Sequence, residues 1–259
     1  MEYVLQTHDL TKIFGRHTAF RRLTRMKSFY ICLLISLAFS ALMVVSQVFL
    51  LDATGAADNS KLAFASLAAA PNNGQLVILL AVFVSLFICS DYTEGTIKNI
   101  ISRGYSRSQV YVAQYVTMIV TGLIFAILNM VFGFVMTAAF LGLGKPIEHM
   151  IPIVLIDLLL VIGCVSLYHF FAVLFRKNGG SIAMGILFPI CIGIVISILT
   201  LLVKREDLNL GVLELSNCMS ILADAAVTTK EIVLVALSGL VYSVLFGIAG
   251  FFTIRRREL

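Results

Sequence analysis

Charged residues are scarce in this chain: Asp, Glu, Lys and Arg make up 13% of 259 residues, about half the share of a soluble domain. With 60% hydrophobic residues and a mean hydropathy of +1.01, a soluble globular fold is excluded, because no soluble core of this length needs so much apolar side chain. Paired cysteines are missing as well. Cys32, Cys89, Cys164 and Cys191 fall in apolar stretches where a thiol acts as a small hydrophobe, and Cys218 has no obvious partner. No zinc or redox spacing occurs. No GxxxxGK[ST] loop occurs either, so the chain lacks a Walker A nest for nucleotide phosphates. A cleaved signal peptide is not expected, since the first apolar run begins late and is too long for an h-region.

What is present is six apolar stretches: Phe29–Leu51, Leu76–Cys89, Val110–Leu141, Ile151–Phe175, Ile182–Val203 and Ile232–Ile254. A hydrocarbon core of ~30 Å needs about 20 helical residues, so five qualify outright. The second needs its polar flank, Asn73 to Asp91, to reach both interfaces. Lipid offers no partner to a bare amide, so each stretch is expected to be a helix. The expected fold class is all-α, a polytopic membrane protein with six transmembrane helices.

The net charge of +5 reads as topology rather than as affinity for nucleic acid. In a six-span arrangement, fourteen of nineteen Lys and Arg residues share one side: six before the first span, three at 98–107, two at 176–177 and three at 255–257. Short basic loops stay cytoplasmic, so both termini are expected inside. The basic excess also favours anionic headgroups.

Residues 1–28 are expected to form a cytoplasmic N-terminal segment ahead of a six-span body at 29–259. Leu10-Thr11-Lys12-Ile13-Phe14-Gly15 resembles the opening strand and turn of ABC ATPase subunits, where an aromatic at the place of Phe14 stacks on adenine; without a Walker A loop this implies no ATP binding. Residues 17–28 carry four basic groups with Phe20, Leu23 and Met26 at i, i+3, i+6. That pattern suits an interfacial helix, or a basic flank that only fixes orientation.

The inner loop at about 91–108 carries the functional signal. Thr93 or Asp91 can cap a helix, and Glu94 in its first turn favours the dipole. Ile97, Ile100 and Ile101 share one face, while Thr96, Lys98, Asn99 and Arg103 look away, and Gly104 can end the helix. Such an amphipathic surface helix can pass force from a soluble partner into the membrane.

This loop resembles that of type-2 class ABC export permeases, which reads E-x-x-x-G-T, a hydrophobic pair, then S-R and a lysine. Glu94-Gly95-Thr96 and Ser106-Arg107 match; the acid lies closer to the glycine, so Asp91 can take its place, and the lysine position is Gln114. The resemblance spans about residues 17–259. It implies a coupling helix (Asp91, Glu94, Gly95, Thr96, Lys98, Asn99, Arg103, Arg107), a homodimer, and two copies of a separate ABC ATPase that bind ATP and Mg, with no cofactor in this chain. Within the family, the chain looks most like bacterial exporters of lantibiotics and other amphipathic peptide toxins, partly through the Lys27–Ile31 run that leads into the first span. The implied place is the bacterial plasma membrane, the implied chain is non-catalytic, and the implied cargo is peptide-like.

Asp157 is the one formal charge well inside an apolar stretch, read as an interfacial snorkelling or hydrogen-bonded acid or as a functional group. His169 reads as an interfacial or packing histidine rather than a proton relay, and Asn129 and Gln47 as interhelical hydrogen-bond partners. Gly239, Ser243 and Gly247, like Ser36 and Ser40, allow close helix approach within the chain or at a dimer seam. Gly185, Pro189 and Gly193 mark the fifth span as a flexible, pathway-lining helix. Asn178-Gly179-Gly180 is expected to supply positive φ to the turn before that span. In the outer insert, about 204–231, Leu208, Val212, Leu215, Met219 and Leu222 recur at helical spacing, which fits either an interfacial helix or a cap on the bundle. Two rivals are weaker. An intramembrane enzyme needs facing catalytic or metal groups, and Asp157 and His169 lie twelve residues apart on one helix. An ion-coupled carrier usually shows internal repeats and several midplane ionisable groups.

Overall fold

The computed structural model describes residues 23–54, 64, 66–67, 74–102, 104–143, 150–203, 210–223 and 228–256. Every described element is a helix. The six spans are Lys27–Thr54, Gly74–Thr93, Arg107–Leu141, Met150–Phe175, Asn178–Val203 and Thr229–Arg256, all long and apolar enough to cross a membrane. Between them lie a loop helix (Thr96–Ser102), a 3₁₀ turn (Leu210–Leu213) and an insert helix (Leu215–Ala223). The second span recruits polar residues at both ends, as its short apolar core requires. The third, with 35 residues, rises about 52 Å and projects beyond a ~30 Å hydrocarbon core. It begins in a capping box: the Gln109 amide donates to Ser106 Oγ (3.3 Å) and the Ser106 amide to Gln109 Oε1 (3.0 Å).

Successive crossings place the span ends Lys27, Thr93, Arg107, Phe175, Asn178 and Arg256 at one face, here the N-terminal face, and the span ends Thr54, Gly74, Leu141, Met150, Val203 and Thr229 at the opposite face. The second, third and fourth spans form the centre, while the first, fifth and sixth leave most of their surface open. Phe29, Phe83 and Phe125 join the first three spans in one aromatic cluster.

The most extensive pairing, fourth span against sixth, depends on small residues. A Cβ on Gly163 would lie 3.3 Å from the Gly239 carbonyl oxygen, and one on Gly239 3.2 Å from Leu160 Cδ2. Gly247 and Gly250 admit the hydroxyls of Tyr115 and Tyr111. The small-residue face of the sixth span is thus consumed within the chain. Ser36 and Ser40 do more than permit approach: both donate to Asn129 Oδ1, at 3.0 and 2.7 Å, tying the first span to the third. Gln47 differs from expectation, because it is exposed on the open side of the first span. His169 packs inside the bundle rather than at an interface, fully buried and edge-on to the stacked rings of Tyr111 and Tyr115.

Two local expectations are corrected. The second span continues through Thr93, so Asp91 and Thr93 belong to its last turn and cap nothing. Thr93 Oγ1 instead donates back to the carbonyls of Cys89 and Ser90. Glu94 sits in the reversal, outside the first turn of the loop helix, and Gly95 takes the left-handed φ of +68° that the reversal requires. At the other turn, Asn178, Gly179 and Gly180 already lie in the fifth span, and Arg176 is the residue with positive φ, +55°. The expected interfacial helix at 17–28 lies outside the described residues apart from its last part, where Leu23 is buried.

Candidate functional site

Two regions concentrate polar chemistry. The first is the N-terminal face around the loop helix. Asp91 is buried at the end of the second span, and Gln114 Nε2 of the third span donates to its Oδ2 at 2.7 Å. Asp91 and Gln114, singled out separately in the sequence, are therefore partners across two spans. Ile97 is the buried anchor of the loop helix; Glu94, Lys98 and Asn99 are exposed, Thr96 and Arg107 half-buried, and Arg103 lies outside the described residues. The helix ends at Gly104, whose amide donates to the Ile101 carbonyl (2.9 Å) at φ +92°.

The turn between the fourth and fifth spans joins the loop. The Arg176 guanidinium lies 5.3 Å from the centroid of the Tyr92 ring, and a cavity of about 380 Å³ opens between Tyr92, Gly95, Ile97, Lys98, Phe175 and Arg176. A left-handed conformation costs a non-glycine residue roughly 1–2 kcal/mol, and stacking a guanidinium on an aromatic face returns about 0.5–1 kcal/mol. The Arg176 contact was not legible in the sequence, since the adjacent Gly-Gly is the ordinary signal for such a turn.

The second region is the insert, which descends far into the bundle. Tyr242 Oη donates to the Leu213 carbonyl at 2.8 Å, and Tyr242 lies thirteen residues, about 20 Å, below Thr229. A Cβ on Gly163, thirteen residues from Met150, would meet Leu215 Cδ2 at 3.5 Å. A Cβ on Gly193, ten residues from Val203, would meet both carboxylate oxygens of Glu214, at 2.9 and 3.0 Å. Three helices independently place residues 213–215 near the middle of the bundle. The insert is re-entrant, deeper than an interfacial helix and packed as a cap. Backbone away from spanning helices is tolerated at such depth where protein covers it or water lines it. The Cys218 thiol completes the fold of the insert by donating to the Val212 carbonyl, and burial pushes its pKa up to about 11.

Glu214 is half-buried on this insert, and burial raises its pKa above the ordinary glutamate value. A carboxylate at membrane mid-depth costs about 2.5–3.5 kcal/mol on insertion scales unless water or a cation meets it. No Lys or Arg among the described residues does so. Nothing in the sequence distinguished it from the loop acids around it.

Of the three fifth-span residues, Gly185 faces inward against Tyr168 and Ala81, while Pro189 and Gly193 are half-buried. Asp157 is fully buried seven residues from Met150, and neither oxygen has a hydrogen-bond partner among the described residues. It does not snorkel.

Six apolar crossings with buried polar clamps and a re-entrant insert define an all-α, multi-pass membrane protein. The chain belongs to the family described as protein of unknown function DUF2705, whose profile matches residues 28–259. The match opens within one residue of the first span and leaves out residues 1–27. No curated protein matches the chain.

Proposed function

We propose that the chain is the membrane permease half of an ATP-driven exporter in a bacterial plasma membrane, with both termini cytoplasmic. It pairs with a second copy of itself and docks two copies of a separate ATPase through the loop helix. Its cargo is an amphipathic, peptide-like molecule. The observation that carries this reading is the loop helix with its reversal: Glu94, Lys98 and Asn99 are exposed, Ile97 is buried as the anchor, and the Asp91–Gln114 hydrogen bond clamps together the two central spans that the loop connects. Force applied to a helix held this way moves the spans with it.

The test is co-expression with a candidate ABC ATPase subunit, a separate chain that carries the Walker A loop this one lacks. Glu94→Ala is expected to leave the permease inserted but to abolish co-purification and stimulated ATP turnover, because it removes an exposed acid at the reversal and leaves the buried anchor intact. Binding and turnover equal to wild type would remove the reading.

A further inference from the structure

The open surface beside the insert combines three features that the docking role does not use. Glu214 holds its carboxylate against the bare backbone of Gly193, on the span with the smallest buried share. One turn toward the N-terminal face, Pro189 lacks an amide to donate, so the Gly185 carbonyl loses its helical partner. The neighbouring residues along the chain are apolar: Ile190 and Ile194 beside Gly193 and Leu213 beside Glu214 are all more than half exposed. A carboxylate held at mid-depth beside lipid-facing aliphatic side chains suits a ligand with a cation on an apolar body, because the cation neutralises the carboxylate at a depth where its charge is costly while the body stays in the lipid that covers those side chains.

We infer that Glu214, seated on Gly193, is a binding site for the basic amine of an amphipathic cation. This deepens the export reading, on which its physiological meaning rests, by naming the charge of the cargo. Binding itself requires neither the ATPase nor transport. Gly193 serves as a positioning residue, since any side chain there displaces the carboxylate.

The experiment uses the full chain in phosphatidylcholine nanodiscs, with empty discs subtracted. The probes are a fluorescent amphipathic lysine peptide and the same peptide with its lysines acetylated. Wild type is expected to bind the lysine peptide about tenfold tighter than the acetylated one, a difference of about 1.4 kcal/mol. Glu214→Gln, which keeps shape and removes charge, is expected to erase that preference while leaving acetylated-peptide binding unchanged. Glu214→Asp is expected to keep part of it. An equal preference in wild type and Glu214→Gln, or no preference in wild type, overturns the proposal. Loss of ATPase docking with the preference intact would instead overturn only the export reading.

Discussion

Replacing Gln114 by leucine tests whether the link between the second and third spans holds the loop helix in place. The amide donates to Asp91 at 2.7 Å, and both side chains are almost completely buried. A hydrogen bond to a charged partner contributes about 1.5–3 kcal/mol, and its loss leaves a buried acceptor that water reaches poorly. Leucine matches the volume and supplies no donor, so Gln114→Leu is expected to destabilise by about 2 kcal/mol. Gln114→Lys offers an ammonium to the same oxygen and is expected to lose less, which ranks the variants wild type and lysine above leucine. The assay is unfolding in mixed micelles, with Asp91→Ala, Gln114→Ala and the double variant completing a cycle. A coupling energy below about 0.5 kcal/mol, or leucine equal to wild type, would refute the argument, because contacting partners couple by more than that.

Two further outcomes are expected. At Arg176, alanine keeps the left-handed φ and loses the Tyr92 contact, while glycine loses the contact and relieves the strain; Arg176→Gly is therefore expected to be about 1 kcal/mol more stable than Arg176→Ala in the same unfolding assay, and the reverse order would sink the strain argument. Single cysteines replacing Lys98 and Lys177 are expected to label only after permeabilisation, and one replacing Lys230 from outside, as their opposite faces and the basic bias require. A swapped pattern would invert the proposed orientation.

The six spans were legible because lipid leaves the backbone one solution, and that solution writes itself as long apolar runs. The Asn129 clamp was half legible: a lone amide at mid-span asks for a partner, but Ser36 and Ser40 were read only as small residues. The depth of the insert was not legible, because helical spacing at 212–222 serves an interface or a bundle equally well. Its true partners, Gly163, Gly193 and Tyr242, sit on three helices that no local pattern connects. The start of the loop helix was not legible, since a helix that runs on through Asp91 and Thr93 looks the same in sequence as one that starts there, and so Glu94 and Gly95 fall in the reversal ahead of Thr96.

The depth of the insert also bears on how membrane voltage acts on this protein. Between Gly193 and the N-terminal end of its helix lie fifteen residues, about 22 Å. If water follows the insert down to Glu214, the potential drops over that remaining distance instead of the full hydrocarbon thickness. A cation carried the whole way gains or loses about 2.3 kcal/mol for each 100 mV. One that starts from Glu214 would cross almost all of that difference in about three-quarters of the ~30 Å thickness, so a charged passenger would feel a steeper field beside the insert than across an unbroken hydrocarbon layer.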